Sequence, residues 1–192
     1  METSKEWKSL AAEIGPLRYQ MSESDCAPTT VINALLLIYQ RRLPTALVRM
    51  IWSLGADFDS GTGSVGTHML AAALDVWFRK ARADEHEEHD YALSSYIYKR
   101  DNFREITKTL KKQGVCCISI SEGTHYVVLV ALEEGKYLLF DPGWNKKFQS
   151  PAHTEEFKKY CGLANRSFTK QELIAELGHE YNKEVHILKH TE

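Results

Sequence analysis

Gly114-Val-Cys-Cys-Ile-Ser-Ile120, His125-Tyr-Val-Val-Leu-Val-Ala-Leu132 and Tyr137-Leu-Leu-Phe140-Asp141-Pro142-Gly143 are three short runs in which the chain leaves helical spacing for apolar, β-branched segments. Such runs, bounded by turn residues, read as strands. Glu133-Glu134-Gly135-Lys136 lies between the second and third and reads as a hairpin turn. The middle run presents His125, Val127, Leu129 and Ala131 on one face and Tyr126, Val128, Val130 and Leu132 on the other. Both faces are apolar, so the sheet is expected to be covered on both sides.

Upstream, the spacing is helical. Lys5 to Ile14 is expected to form a short amphipathic helix ended by Gly15-Pro16. Cys26 to Gln40 is a stronger candidate, with Pro28 tolerated in its first turn. Pro44 to Leu54 and Val65 to Lys80 follow, split by Gly61-Thr62-Gly63, and Asn102 to Gln113 is stopped by Gly114. Beyond the hairpin, Thr154 to Tyr160 and Thr169 to His179 are helical in pattern, and Val185 to Leu188 is a last strand. The expectation is an α+β fold, N-terminal helices packed on a C-terminal antiparallel sheet. With 192 residues, no repeat and no linker, residues 1–192 are expected to form a single domain.

Composition narrows the function classes. Hydrophobic residues make up 43% of the chain and charged residues 26%, ordinary globular values. Lys plus Arg number 24 and Asp plus Glu 26, a net charge of −2, so no global field draws the protein to nucleic acid or an anionic membrane. Ala34 to Tyr39 and Tyr126 to Leu132 are the longest strongly apolar stretches, far short of the roughly 20 residues of a membrane span. The N-terminus carries no apolar signal core, and the four cysteines (Cys26, Cys116, Cys117, Cys161) make a poor disulfide framework. A cytoplasmic protein with reduced thiols is expected.

A reduced thiol can be a nucleophile. Cys26 follows Asp25 and opens an apolar helix, where the helix dipole and unpaired amide N–H groups favour thiolate. Taken alone, a cysteine is more often inert core. His125 begins one strand and Asp141 ends its partner. A hairpin symmetric about Glu134 sets residue 125 opposite residue 143, making Asp141 its diagonal neighbour at about 7–8 Å between backbones. A slip of one residue would put the two on opposite faces. A carboxylate that holds an imidazole by one nitrogen leaves the other to take a thiol proton. Gln20, six residues before Cys26, offers an amide donor for a developing oxyanion beside the Cys26 backbone N–H.

Gln20-Met-Ser-Glu-Ser-Asp25-Cys26-Ala27-Pro28-Thr29-Thr30, His125-Tyr-Val-Val-Leu-Val and Tyr137-Leu-Leu-Phe-Asp141-Pro142 together resemble the papain-like cysteine peptidases, in particular the bacteriocin-exporter (double-glycine leader) peptidase family and its stand-alone relatives. The resemblance runs from about Gln20 to Pro142. It implies a papain-like fold, Cys26 as nucleophile, His125 as general base and acid, Asp141 as orienting residue and Gln20 as oxyanion donor. Gly61-Thr62-Gly63 resembles the family's glycine-containing loop before a helix. Ala27 stands where the family commonly has glycine, and no transporter segment or ATPase accompanies the motifs. The resemblance implies peptide or amide hydrolysis on a peptide or acyl-donor substrate. The same thiol chemistry serves an acyl or aminoacyl transferase, and the same cleft, without chemistry, a peptide-binding module.

Other motifs carry less. Asp84-Glu-His86-Glu-Glu-His89-Asp90 pairs two histidines among acids, but not in the His-Glu-x-x-His order of zinc peptidases, and such a run is more often a solvated face. Cys116 and Cys117 lack a second cysteine pair at zinc-site spacing. Asn165-Arg-Ser167 fits a glycosylation acceptor without a secretory route to use it. Of the tryptophans, Trp144, just past Asp141, is best placed to flank a cleft, ahead of Trp52 and Trp77. No cofactor, metal, nucleic-acid partner or membrane span is expected.

Overall fold

A computed structural model describes residues 3–55, 69–77, 91–97, 103–120, 124–143, 155–177 and 184–190. In chain order these hold α1 (Thr3–Ile14), α2 (Cys26–Tyr39), α3 (Thr45–Gly55), α4 (69–77), β1 (Tyr91–Ile97), α5 (Phe103–Lys111), β2 (Val115–Ile120), β3 (His125–Glu133), β4 (Lys136–Phe140), α6 (Glu155–Lys159), β5 (Arg166–Phe168), α7 (Lys170–Leu177) and β6 (Glu184–His190). The strands form a six-stranded sheet in the order β1-β6-β2-β3-β4-β5, and every neighbouring pair is antiparallel. This is the α+β architecture the sequence implies. Gly61-Thr62-Gly63, His86, His89 and Trp144 lie outside the described residues.

Two apolar cores sandwich the sheet. On one side α2 meets Val115, Cys117, Val128, Val130, Leu138 and Phe140. On the other, Phe103, Ile106 and Leu110 of α5 and Leu173 and Leu177 of α7 meet Cys116, Ile118, Val127 and Leu129. Cys116 and Cys117, adjacent in β2, fall in opposite cores, as strand alternation requires. Helix α2 is buried along nearly its whole length, which explains an apolar run with little amphipathic bias: a helix between a sheet and other helices has no wet face.

Two strands were not legible in the sequence. β1, Tyr-Ala-Leu-Ser-Ser-Tyr-Ile, sits at a sheet edge and pairs only with β6, from the far end of the chain. Its serines and alanine are weak strand formers, and the pairing that holds it is non-local. β5 has three residues, too few to show a period. β6 is longer than Val185 to Leu188 and lies inside the sheet, between β1 and β2.

The hairpin carries a detail that positions the site. The β3–β4 turn is two residues long, Glu134-Gly135, both at positive φ (50° and 77°), the geometry that matches strand twist. Glu133 pairs with Lys136 and Leu132 with Tyr137. Carried on unbroken, that register would set Val128 opposite Asp141 and leave His125 on the other face. A bulge between Leu129 and Ala131 shifts the pairing, so that Leu129 meets Leu139 and Val128 meets Phe140. One extra residue on one strand turns every later side chain over. Continued to the strand ends, the shifted register places His125 opposite Gly143, with Asp141 its diagonal neighbour.

Candidate active site

The start of β3, the end of β4 and the start of β5 share one end of the sheet, and the N-terminus of α2 meets them there. Thr30 in α2 donates its hydroxyl to the Tyr126 carbonyl at 2.9 Å, tying the helix to β3 one residue from His125. Cys26 packs with Ala27 and Tyr126 and is 6% exposed.

His125 bonds through Nε2 to Asp141 Oδ1 at 2.7 Å, with 18% and 5% of the two side chains exposed. Burial alone would lower the His125 pKa, because it penalises the charged ring. The hydrogen bond to Asp141 and its negative charge, with a smaller contribution from Cys26, outweigh burial and raise it to about 9. The imidazole is held by the carboxylate, with Cys26 near enough to add to the shift, and keeps its proton through the neutral range.

Asp141 is the most heavily bonded group of the site. Its Oδ1 also accepts from the Gly143 N–H at 2.9 Å, and its Oδ2 accepts from Arg166 Nη1 at 2.7 Å. Its backbone is clasped by Asn165, whose Oδ1 accepts from the Asp141 N–H at 2.8 Å and whose Nδ2 donates to the Asp141 carbonyl at 2.9 Å. Burial would raise the carboxyl pKa, but His125 and Arg166 together hold it below the usual carboxylate range.

The loop before α2 is fastened from both sides. The Gln20 N–H donates to the Pro142 carbonyl at 3.0 Å. Asp25, 2% exposed, makes no side-chain cap on α2. Its carboxylate turns back instead to accept from the Met21 and Ser22 N–H groups at 2.9 and 3.1 Å. The first turn of α2 therefore has no carboxylate of its own in front of Cys26. Gln20 donates Nε2–H to the Ser22 carbonyl at 2.8 Å, which engages one of two amide hydrogens, while its buried Oε1 has no donor.

Gln20, His125 and Gly143 crowd together. A Cβ at residue 143 would stand 2.8 Å from Gln20 Oε1 and 2.9 Å from His125 Cε1, so only glycine fits. Gly143→Ala is expected to push the imidazole or the amide out of line. A displacement near 1 Å at a reacting group costs about 10²-fold, and the alkylation rate of Cys26 at pH 7 reads it directly.

The structure thus brings Cys26, His125, Asp141 and Gln20 to one place. Arg166, Asn165, Gly143 and Asp25 belong to the same constellation and were not singled out from the sequence for these contacts. Asn165 and Arg166 fall within a glycosylation-like triplet, just before and at the start of a strand too short to register. The remaining thiols are chemically distant. Burial pushes Cys117 up to about 12, and burial with the neighbouring Cys117 puts Cys116 well above its ordinary value, whereas Cys161 is exposed. No cluster of three or more His, Cys, Asp or Glu able to hold a metal occurs among the described residues, and none of the described helices is long and apolar enough to cross a membrane.

No protein-family model and no curated protein matches the chain. Solved structures do. A double-glycine motif protease from an AMS/PCAT transporter, in complex with its leader peptide, aligns over 92% of this chain and 91% of its own, with a TM-score of 0.51 at 16% identity. The peptidase domain of Streptococcus ComA, a bi-functional ABC transporter in a quorum-sensing pathway, aligns over 91% and 98%, with a TM-score of 0.50 at 12% identity. This chain has the papain-like fold of the double-glycine peptidase domains. At such identity the likeness is one of fold.

Proposed function

We propose that the protein is a thiol-dependent peptidase in which Cys26 is the nucleophile, His125 the general base and acid, Asp141 the orienting carboxylate and Gln20 an oxyanion donor. The observation that carries this reading is the imidazole bonded to Asp141 at 2.7 Å, with Cys26 close enough to add to its raised pKa. The proton shared by Cys26 and His125 rests on the ring, and the Cys26 sulfur attacks the carbonyl carbon of a peptide bond. The oxyanion is met by the Cys26 backbone N–H and the second Nε2 hydrogen of Gln20. Collapse breaks the C–N bond as His125 returns its proton to the leaving amine. Water, deprotonated by His125, then releases the acid and restores the Cys26–His125 pair with its proton on the ring. A peptide substrate is supported by the leader peptide bound to the structural neighbour. Two cores built on one sheet support a single domain.

The test is alkylation by iodoacetamide from pH 5 to 10, with the labelled site assigned by mass spectrometry. Cys26 is expected to react readily below pH 7, the exposed Cys161 far more slowly there, and the buried Cys116 and Cys117 not at all in the folded protein. A Cys26 that reacts no faster than Cys161 at pH 6 would leave a peptide-binding module in place of an enzyme. Peptides with and without a Gly-Gly sequence before the scissile bond, incubated with and without added hydroxylamine, then separate hydrolysis from acyl transfer by product mass.

A further inference from the structure

On the face of the sheet opposite α2, α5 and the start of α7 border an open groove of about 650 Å³. Phe103 and Tyr137 form its floor, and Arg104, Lys108, Lys111, Lys112 and Lys170 its rim. Among the described residues no carboxylate lines it, in a chain whose net charge is −2. Arg104, Lys108 and Lys111 are exposed and form no ion pair among the described residues. Lys170 lies over the Phe103 ring at 5.7 Å.

Helix stability does not account for this set. Lys108 and Lys111 sit in the last turn of α5, where cations complement the dipole. Arg104, in the first turn of α5, and Lys170, opening α7, sit at positive helix ends, where cations are disfavoured. Arg104 and Lys108 are like charges at i,i+4 in α5, which weaken a helix. The arrangement costs the fold and concentrates positive charge over an apolar floor.

We propose that this groove binds an acidic peptide segment of a partner protein. Carboxylates would meet the rim cations. A single-stranded nucleic acid fits less well. Its bases need exposed ring faces to stack on, and Phe103 and Tyr137 are 9% and 4% exposed and packed edge-to-face on each other. α5 is also short, nine residues or about 14 Å at 1.5 Å per residue, a length suited to a few residues of extended peptide. The groove faces away from Cys26, so this inference stands apart from the proposed peptidase reaction.

Fluorescence anisotropy tests it on the full chain, with a fluorescein-labelled oligo-glutamate peptide as probe and oligo-serine as control. Binding of oligo-glutamate that weakens with added salt, and falls about tenfold or more in Lys108→Glu/Lys111→Glu, is expected, with the Cys26 alkylation rate unchanged. Should that variant unfold at lower temperature than wild type, Arg104→Gln/Lys170→Gln supplies the same readout without charge reversal. Absent binding, or binding indifferent to both variants, overturns the proposal. So does tighter binding of an oligothymidylate of equal charge, which would make the groove a nucleic-acid surface. Displacement of the probe by inorganic phosphate at equal charge overturns it as well, since the groove would then be a bare anion site.

Discussion

His125→Ala is expected to reduce peptide turnover by about 10³-fold or more, the scale on which loss of one member of a nucleophile–base–orienter set acts. Two further readouts separate loss of chemistry from loss of fold. Cys26 alkylation near pH 6 should fall to the level of the exposed Cys161, because no imidazolium remains beside the thiol. The pH dependence of stability should flatten on the alkaline side. The His125 pKa is raised in the folded protein to about 9 from an ordinary 6.5, so its contribution to stability is fully present below about pH 6.5 and is lost as pH rises through 9. Denaturant unfolding of wild type across that window should show the decline and the alanine variant should not. Wild-type turnover should fall over the same upper range, as the ring gives up its proton. If the variant turns over peptide at the wild-type rate, His125 is not the proposed base.

Why this pair was readable in the sequence while its supports were not follows from chain distance. His125 and Asp141 belong to one hairpin, and a hairpin's register is a local property. The reading that brought them together placed the centre of symmetry at Glu134. The structure reaches the same alignment by another route, a two-residue turn at Glu134-Gly135 corrected by the bulge after Leu129. A tight turn is visible in residue types, but a bulge in an unbroken apolar run is not. Helix α2 announced itself by length and by Pro28 near its start, so Cys26 could be placed at a helix N-terminus. The turning-back of Asp25 onto Met21 and Ser22 has no sequence signature, because an aspartate before a helix ordinarily caps it. Arg166, opening β5, and Asn165, just before it, reach Asp141 across a sheet pairing that only the tertiary structure defines. Their chemistry was plain in the sequence, and their address was not.

Arg166→Met is the sharper test of that unread part of the site. It removes the guanidinium from Asp141 Oδ2 and leaves Oδ1 with His125 and Gly143. Breaking a largely buried ion pair from one side costs about 3–5 kcal/mol, here toward the lower end, since Arg166 is 21% exposed and His125 continues to compensate the carboxylate. A carboxyl whose folded pKa is lowered adds stability above its unfolded value of about 3.9, and this is lost as pH falls through the folded pKa. Without Arg166 the folded pKa of Asp141 rises toward the ordinary range. The acid limb of both stability and Cys26 alkylation is therefore expected to move to higher pH in the variant, while the alkaline limb set by His125 moves little. Arg166→Lys keeps a charge but not the planar fork, and should recover most of the acid limb and less of the stability. A role in packing alone predicts a uniform loss of stability with the alkylation profile unmoved on the pH axis, and that result would detach Arg166 from the chemistry of the site.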